Sequence, residues 1–161
     1  MPLRRVALGL ALTVLATSAH SAGAATYVNA RFGYSVSYPT DLLIPEPEAD
    51  NGDGRKFHAR RGTAAMLVWG AYNADQRSPE DIAREYEVDC GAGKVTYKVA
   101  KPQLVAFSCI TPAGRVIYQK TLIRHDVLTT VRFEYPAAEQ TIWNPAVQQV
   151  SGSLSAGSGA K

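Results

Sequence analysis

The chain has 161 residues, two cysteines, and 17 Lys and Arg against 14 Asp and Glu, which gives a formal net charge of +3. This length fits one domain with a buried core. Removing Arg4 and Arg5, which lie in a predicted leader, from the 17 basic residues leaves 15 against 14 acidic ones, so the charge does not indicate a nucleic-acid-binding protein.

Residues 1–24 have the three-part pattern of a signal peptide. "MPLRR" provides a cationic start, an uncharged apolar run follows, and "SAGAA" provides small residues before the cleavage position. The apolar run is shorter than the roughly 20 residues of a membrane-spanning helix, and no later stretch is long enough. We expect cleavage after Ala24, with Ser21 or Ala25 as alternatives, and a periplasmic or secreted product. The two arginines leave the general and the twin-arginine export routes open.

The first mature segments are predicted to be strands. "RFGYSVSYP" alternates between an apolar face and a small, polar one, as a half-buried strand does. The following "TDLLIPEPEADNGDGR" is predicted as a loop, because Pro45 and Pro47 interrupt regular pairing and the Asn-Gly and Asp-Gly steps favour turns. "KFHARRG" and "TAAMLVWGAYN" predict two more strands. The second is apolar on both faces, which favours a central strand covered on both sides with Trp69 in the core.

"SPEDIAREYEVDC" has the features of a helix. Ser78 is the predicted N-cap, and Pro79 lies in the first turn. Glu80 and Arg84 are spaced to form a surface ion pair. The inward stripe is predicted to consist of Ile82, Ala83 and Tyr86.

A four-strand meander and a second helix complete the pattern. "KVTYKVA", "QLVAFSCI", "RVIYQKTLIR" and "VLTTVRFEY" are separated by breaks short enough for antiparallel hairpins. "NPAVQQVSGSL" predicts a helix capped by Asn144 with Pro145 at its first position and Trp143 just before it. Residues 155–161 are predicted to be a disordered tail.

Strands dominate the chain, with one helix in the middle and one at the end. This predicts an α+β fold, an antiparallel sheet meander flanked by helices, as a single domain over residues 25–154. An even pair of cysteines in an exported protein predicts a disulfide between Cys90 and Cys109.

Three segments resemble the PsbP-like family: "FGYSVSYP", "NGDGRKF", and "FEYP" followed by "NPAVQQVSGSL". The family includes the PsbP extrinsic subunit of photosystem II and the Mog-type proteins that bind the Ran GTPase. The resemblance covers about residues 27–154 and implies an α/β/α sandwich around an antiparallel sheet. It also implies a non-enzymatic accessory or binding role, because known members dock onto larger partners. No residue matches a metal-binding position of PsbP.

"EADNGDGRKFHARRG" only partly resembles a calcium loop. With Gly54 at position six of an EF-hand-type loop, Asn51 and Asp53 fall on ligand positions, but two anchoring carboxylates are missing and Arg60 replaces one of them. We favour a reversing turn in which the glycines and Asn51 adopt positive φ, and we predict no metal site. The acids left for a weak, irregular calcium site are Glu48, Asp50 and Asp53.

The basic run that follows is a candidate binding surface. In a strand, Lys56, His58 and Arg60 project from one face, where they fit an acidic protein partner or an anionic envelope component. For the strand itself we favour the simpler interpretation, an edge strand whose charges prevent aggregation. The candidate contacts are Asn51, Asp53, Arg55, Lys56, His58 and Arg60.

Residues suited to catalysis are few. Only His58 and His125 remain after the leader is removed, and there is no G-x-S-x-G motif. We predict no enzymatic activity and no cofactor. The favoured function is an exported accessory domain that docks onto a protein or an anionic envelope component, with the oligomeric state left open. The alternative is a small envelope hydrolase that uses His58 or His125.

Overall fold

The computed structural model describes residues 23–157. Apart from Gly23 and Ala24, the predicted signal peptide lies outside the described residues, as do residues 158–161. The Gly23 carbonyl accepts a hydrogen bond of 2.8 Å from the backbone N–H of Thr40, and Ala24 pairs with Pro39. Within the described range, no helix is both long and apolar enough to cross a membrane.

Seven antiparallel strands form the central sheet. They are β3 (Leu43–Glu48), β4 (Gly54–Ala59), β5 (Ala65–Tyr72), β6 (Lys94–Lys101), β7 (Leu104–Ile110), β8 (Arg115–Arg124) and β9 (Val127–Pro136). Their spatial order is β3-β4-β5-β9-β8-β7-β6, so the C-terminal meander occupies one half of the sheet, as predicted. Two further strands, β1 (Ala24–Val28) and β2 (Ser35–Pro39), form a separate hairpin. β1 was not among the strands predicted from the sequence.

Each face of the sheet carries one helix. The hairpin and α2 (Gln140–Ser153) cover one face and enclose the larger core, which includes Val131 and Phe133 of β9. The other face packs against α1 (Pro79–Cys90), whose buried residues contact Phe107 of β7 and Leu128 of β9. The predicted α+β class, an antiparallel sheet flanked by helices, is confirmed.

The segment predicted as a proline-broken loop is instead β3, the edge strand. Its first three residues pair with the end of β4, and pairing resumes at Glu48 opposite Arg55 after a register shift. Pro45 and Pro47 are tolerated because one side of an edge strand has no neighbouring strand, so a missing backbone N–H on that side breaks no hydrogen bond of the sheet. Because β3 occupies the edge, β4 is an inner strand, and the prediction that "RKFHARR" forms an edge strand is wrong.

The second helix begins earlier than predicted. A short 3₁₀ helix (Ala137–Glu139) leads into α2, so Pro145 lies inside the helix and Asn144 is not its cap. Extending the helix buries Trp143, whose indole N–H donates to Glu139 at 2.9 Å. Burying a large aromatic side chain stabilises by about 2–3 kcal/mol. This offsets most of the roughly 3 kcal/mol that a proline inside a helix costs through its missing hydrogen bond and its clash with the preceding turn.

Hydrogen-bonded structure continues past α2. The backbone N–H of Ser155 donates to the Ser35 carbonyl at 2.9 Å, and that of Gly157 donates to Thr129 Oγ1 at 3.0 Å. Both residues belong to the stretch predicted as a disordered tail, so the ordered packing reaches at least three residues into it.

The first helix is confirmed from its cap to its inward stripe. Ser78 Oγ accepts from the backbone N–H of Asp81 at 3.1 Å, and the Asp81 carboxylate accepts from the backbone N–H of Ser78 at 3.2 Å. Arg84 pairs with Asp81 at 2.8 Å, whereas the sequence predicts a pair with Glu80. The hydrogen bonds from Ser78, followed by those from Arg84, lower the pKa of the Asp81 carboxyl from its usual value.

We expect Ser78→Ala to lower the free energy of unfolding by about 1 kcal/mol at neutral pH, because the N-cap is lost. The Asp81 carboxyl has a lower pKa in the folded state, so its contribution is present above the unfolded value of 3.8 and is lost as the pH falls through the folded one. The difference in the free energy of unfolding between wild type and variant should therefore be smaller in acid. Urea denaturation at neutral pH and near pH 3 measures it, with Glu80→Gln as the control. An equal gap at both pH values would contradict the pairing.

Candidate functional site

The "NGDG" stretch forms the hydrogen-bonded turn between β3 and β4. Asn51 Nδ2 donates to the Asp53 carboxylate at 2.7 Å, and the backbone N–H of Asp53 donates to Asn51 Oδ1 at 3.2 Å. Gly52 has φ +66°, whereas Asn51, also predicted at positive φ, does not. The polar side chains of the turn are therefore engaged with each other.

A polar network in which Tyr27 and Asn29 are buried and Glu48 is exposed lies beside this turn. Glu48 accepts a hydrogen bond of 2.5 Å from the Tyr27 hydroxyl and one of 3.0 Å from Asn29 Nδ2. Asn29 Nδ2 also reaches the Gly52 carbonyl at 2.9 Å. Burial raises the pKa of Tyr27, so its hydroxyl remains a donor. Glu48 and Asp53 thus bond to different neighbours and do not converge on one point, as a calcium site requires.

Among residues 23–157, no group of three or more His, Cys, Asp or Glu side chains is placed to hold a metal ion. His58 and His125, the two histidines of the described residues, also lie far apart. His58 on β4 pairs with Ala65 of β5, which pairs with Glu134 near the C-terminal end of β9. His125 lies in the turn that leads into Val127, at the N-terminal end of β9. Seven residues of strand separate Val127 from Glu134, a distance of about 23 Å.

The six candidate contacts do not form one surface. The Arg55 guanidinium lies on the hairpin side, 4.8 Å from a tyrosine ring centroid of β1, and its Nε is buried without a hydrogen-bond partner. Arg60 follows the end of β4 and donates from Nε to the Thr40 carbonyl at 2.7 Å. Lys56 and His58 alone project together from the α1 side of the sheet, where both are exposed.

Lys56 and His58 belong to a part of the sheet that we call the open face. It is the half of the α1 side formed by β3, β4 and β5, over which the described chain places no helix. Glu46 lies 3.7 Å from Lys56 Nζ and 3.5 Å from His58 Nδ1. The side chains that define the open face are Ile44, Glu46, Lys56, His58, Leu67 and Trp69.

Leu67 and Trp69 form the apolar centre of the open face. Both are half-buried, whereas Met66 and Val68 on the opposite side of β5 are fully buried. The expectation that β5 is covered on both sides, with Trp69 in the core, is therefore wrong. An apolar strand signals burial by its composition, but α1 reaches only as far as β9.

A cavity lies on each side of Trp69. One of about 350 Å³ extends along β3 and β4 and is lined by Pro47, Lys56 and Leu67. The other, of about 270 Å³, lies between the sheet and α1. Together they make the open face a shallow groove with an indole ring at its middle.

The α1 side of the groove is edged by paired charges. Arg132 pairs with Asp89 of α1 and lies 3.9 Å from Glu134, and Arg77 pairs with Glu85 at 2.8 Å. Each cation in this row has an acidic neighbour. The rim is therefore polar and of mixed charge, not a basic stripe.

The described structure holds a further, larger cavity of about 420 Å³ at the end of the sheet, beside Arg60 and the start of α2. Sequence reasoning missed it because its walls come from three segments far apart in the chain. Ile142, an apolar residue that is exposed beside the buried Trp143, is a local feature that could have indicated it.

No protein-family model matches the chain, and no curated protein matches it in sequence. Among solved structures, the cyanobacterial PsbP protein CyanoP from Synechocystis sp., determined in solution, has a similar fold. The TM-score is 0.62 with 12% sequence identity, over 86% of this chain and 95% of that one. The likeness shows a PsbP-like fold, which the resemblance in the sequence had predicted.

Proposed function

We propose that this protein is an exported, non-enzymatic accessory domain that binds a protein partner through the open face. The observation that carries the proposal is the half-buried pair Leu67 and Trp69 at the centre of an uncovered part of the sheet. A large aromatic residue at the middle of a patch, surrounded by polar side chains, is the usual anatomy of a protein–protein interface.

The charges around the groove favour a protein over a polyanion as the partner. Lys56 and His58 share Glu46, and Arg132 lies between Asp89 and Glu134. A polyanion is attracted by cations whose field is not cancelled nearby, whereas a mixed rim complements the mixed surface of another protein. An anionic envelope component is the second candidate, and it rests on the exposure of Lys56 and His58.

Two further features support the accessory role and the export. The fold is similar to that of CyanoP. The resemblance of the sequence to the PsbP-like family implies docking onto a larger partner, and the helix on each face of the sheet fits the α/β/α sandwich that this resemblance implies. The Cys90–Cys109 disulfide fits an oxidising compartment and agrees with the predicted signal peptide. The domain is proposed to perform no chemistry.

We expect Leu67→Glu to abolish partner capture, because a carboxylate at the centre of the interface is desolvated without a partner. Immobilised wild type and variant are exposed to envelope extract, and the retained proteins are quantified by mass spectrometry. Val88→Glu, on the outer side of α1 where Val88 is 76% exposed, is the matched control. The amount of each protein retained by both wild type and control should be lower by about tenfold or more with Leu67→Glu, which is the effect of losing a central interface residue.

Equal retention by all three proteins would overturn the assignment of the open face. Circular dichroism and melting temperature must first show that both variants fold. A loss with Lys56→Glu alone, and none with Leu67→Glu, would favour the anionic envelope component instead.

A further inference from the structure

A cavity of about 420 Å³ lies outside the open face. Three segments build it: the β2–β3 turn with Asp41 and Leu42, the β4–β5 turn with Arg60 and Arg61, and the first turn of α2. Its volume is in the range of small-molecule sites. It is therefore a candidate ligand site independent of the proposed docking surface.

The floor of this end cavity is apolar. Leu42 is half-buried, and Ile142 is 54% exposed, one of the few large apolar side chains that face solvent in the described residues. Trp143 adds the edge of a ring that is otherwise buried. An apolar group that covered Ile142 would gain about 25 cal/mol for each Å² removed from water.

Charges of both signs stand around this floor without neutralising one another. Arg60 and Arg61 line the cavity with Asp41 and Glu139, yet none of the four cation–carboxylate combinations is among the ion pairs of the described chain. This contrasts with the open face, where each cation of the rim has an acidic neighbour. The end cavity thus keeps unpaired cationic and anionic groups on one small surface.

Two of these charges are held in place by other contacts. The Nε of Arg60 donates to the Thr40 carbonyl at 2.7 Å, which leaves the two terminal nitrogens of its guanidinium for a ligand. One oxygen of Glu139 accepts the Trp143 indole N–H at 2.9 Å, which leaves the other oxygen for a ligand. Gly62, at φ +82°, keeps the space over that second oxygen clear, since a Cβ there would lie 3.4 Å from it.

We propose that the end cavity binds an apolar α-amino acid. The carboxylate of the ligand would lie against Arg60 and Arg61, its ammonium against Asp41 and Glu139, and its side chain on Leu42 and Ile142. A ligand with only an anionic group would be repelled by the two acids, and one with only a cationic group by the two arginines. A zwitterion with an apolar body satisfies both walls and the floor.

A matched set of probes tests the charge requirement. L-phenylalanine carries both charges, 3-phenylpropanoate lacks the ammonium, and 2-phenylethylamine lacks the carboxylate. Titration of the processed protein, followed by amide chemical shifts in NMR, should show phenylalanine binding at least tenfold more tightly than either singly charged probe. Shifts should be confined to the three segments that line the cavity.

Variants assign each charge to its partner. Asp41→Asn should weaken phenylalanine binding and strengthen binding of 3-phenylpropanoate, because one of the two repelling acids is removed. Arg61→Gln should weaken binding of both of these ligands and strengthen binding of 2-phenylethylamine for the corresponding reason. Lys56→Gln, on the open face, is the control and should alter none of them. Equal affinities for the three probes would overturn the proposal, as would the absence of shifts from both phenylalanine and L-leucine up to about 10 mM. Neither result would bear on partner capture through Leu67.

Discussion

Replacing Cys90 and Cys109 together by alanine is expected to lower the free energy of unfolding by about 3 kcal/mol and the melting temperature by about 10 °C. The disulfide joins residues 19 positions apart, so removing it restores considerable conformational freedom to the unfolded chain. Both cysteines are almost fully buried, so the lost sulfur atoms also leave a small gap in the core.

Loss of the disulfide should lower the local stability mainly in α1, because the disulfide joins the last residue of that helix to β7. Hydrogen exchange should therefore speed up more in α1 than in β9. Wild type with and without reductant provides the control, and the reduced protein should match the double variant. Titratable thiols in the native protein, or equal stability of all forms, would contradict the structure.

The second large effect is expected from Gly54→Ala, which should destabilise by about 3 kcal/mol. A Cβ on Gly54 would lie 2.1 Å from the carbonyl oxygen of Val68 and 2.8 Å from the Cα of Trp69, both on the neighbouring strand. Backbone atoms in the middle of a sheet cannot move aside without breaking strand pairing. The β4–β5 ladder would have to separate at the point where it supports the open face.

Gly52→Ala, in the same turn, is the matched control. Gly52 has φ +66° but nothing within 4 Å of its missing Cβ, so only the backbone conformation opposes alanine. That strain costs about 1 kcal/mol. Urea denaturation of the two variants should show the larger loss for Gly54→Ala. The opposite order would mean that the turn, and not the close strand approach, requires glycine.

The elements that the sequence predicted well are those encoded by local pattern. Ser78 and Pro79 mark the start of α1 because capping and the fixed φ of proline act within one turn. The meander strands follow from alternation interrupted by turn residues. Val131 and Phe133 lie in the core as the period of two requires.

The errors arose where position in the sheet overrides local preference. Pro45 and Pro47 argue against a strand only if that strand has neighbours on both sides, and the sequence does not reveal that β3 is an edge. Similarly, Pro145 marks a helix start unless burial of a preceding residue such as Trp143 draws an extra turn into the helix.

Only part of the candidate site could be predicted from the sequence. Alternation along β4 placed Lys56 and His58 on one face, but Glu46 reaches them from a strand that was read as a loop. Alternation predicted that Arg60 lies on the same face as well. Because β4 ends at Ala59, the arginine side chain instead contacts the Thr40 carbonyl, away from the open face. The role of Trp69 depends on how far α1 extends over the sheet, which no local pattern encodes.

We propose that the open face is a docking surface for a protein. Site-specific photo-crosslinking tests this proposal, with the photoreactive residue placed at position 67 or, as a control, at position 88 of the full-length protein in cells that produce it. Binding through the open face predicts a discrete higher-mass adduct from position 67 and none from position 88. No adduct from position 67, or the same adducts from both positions, would contradict it.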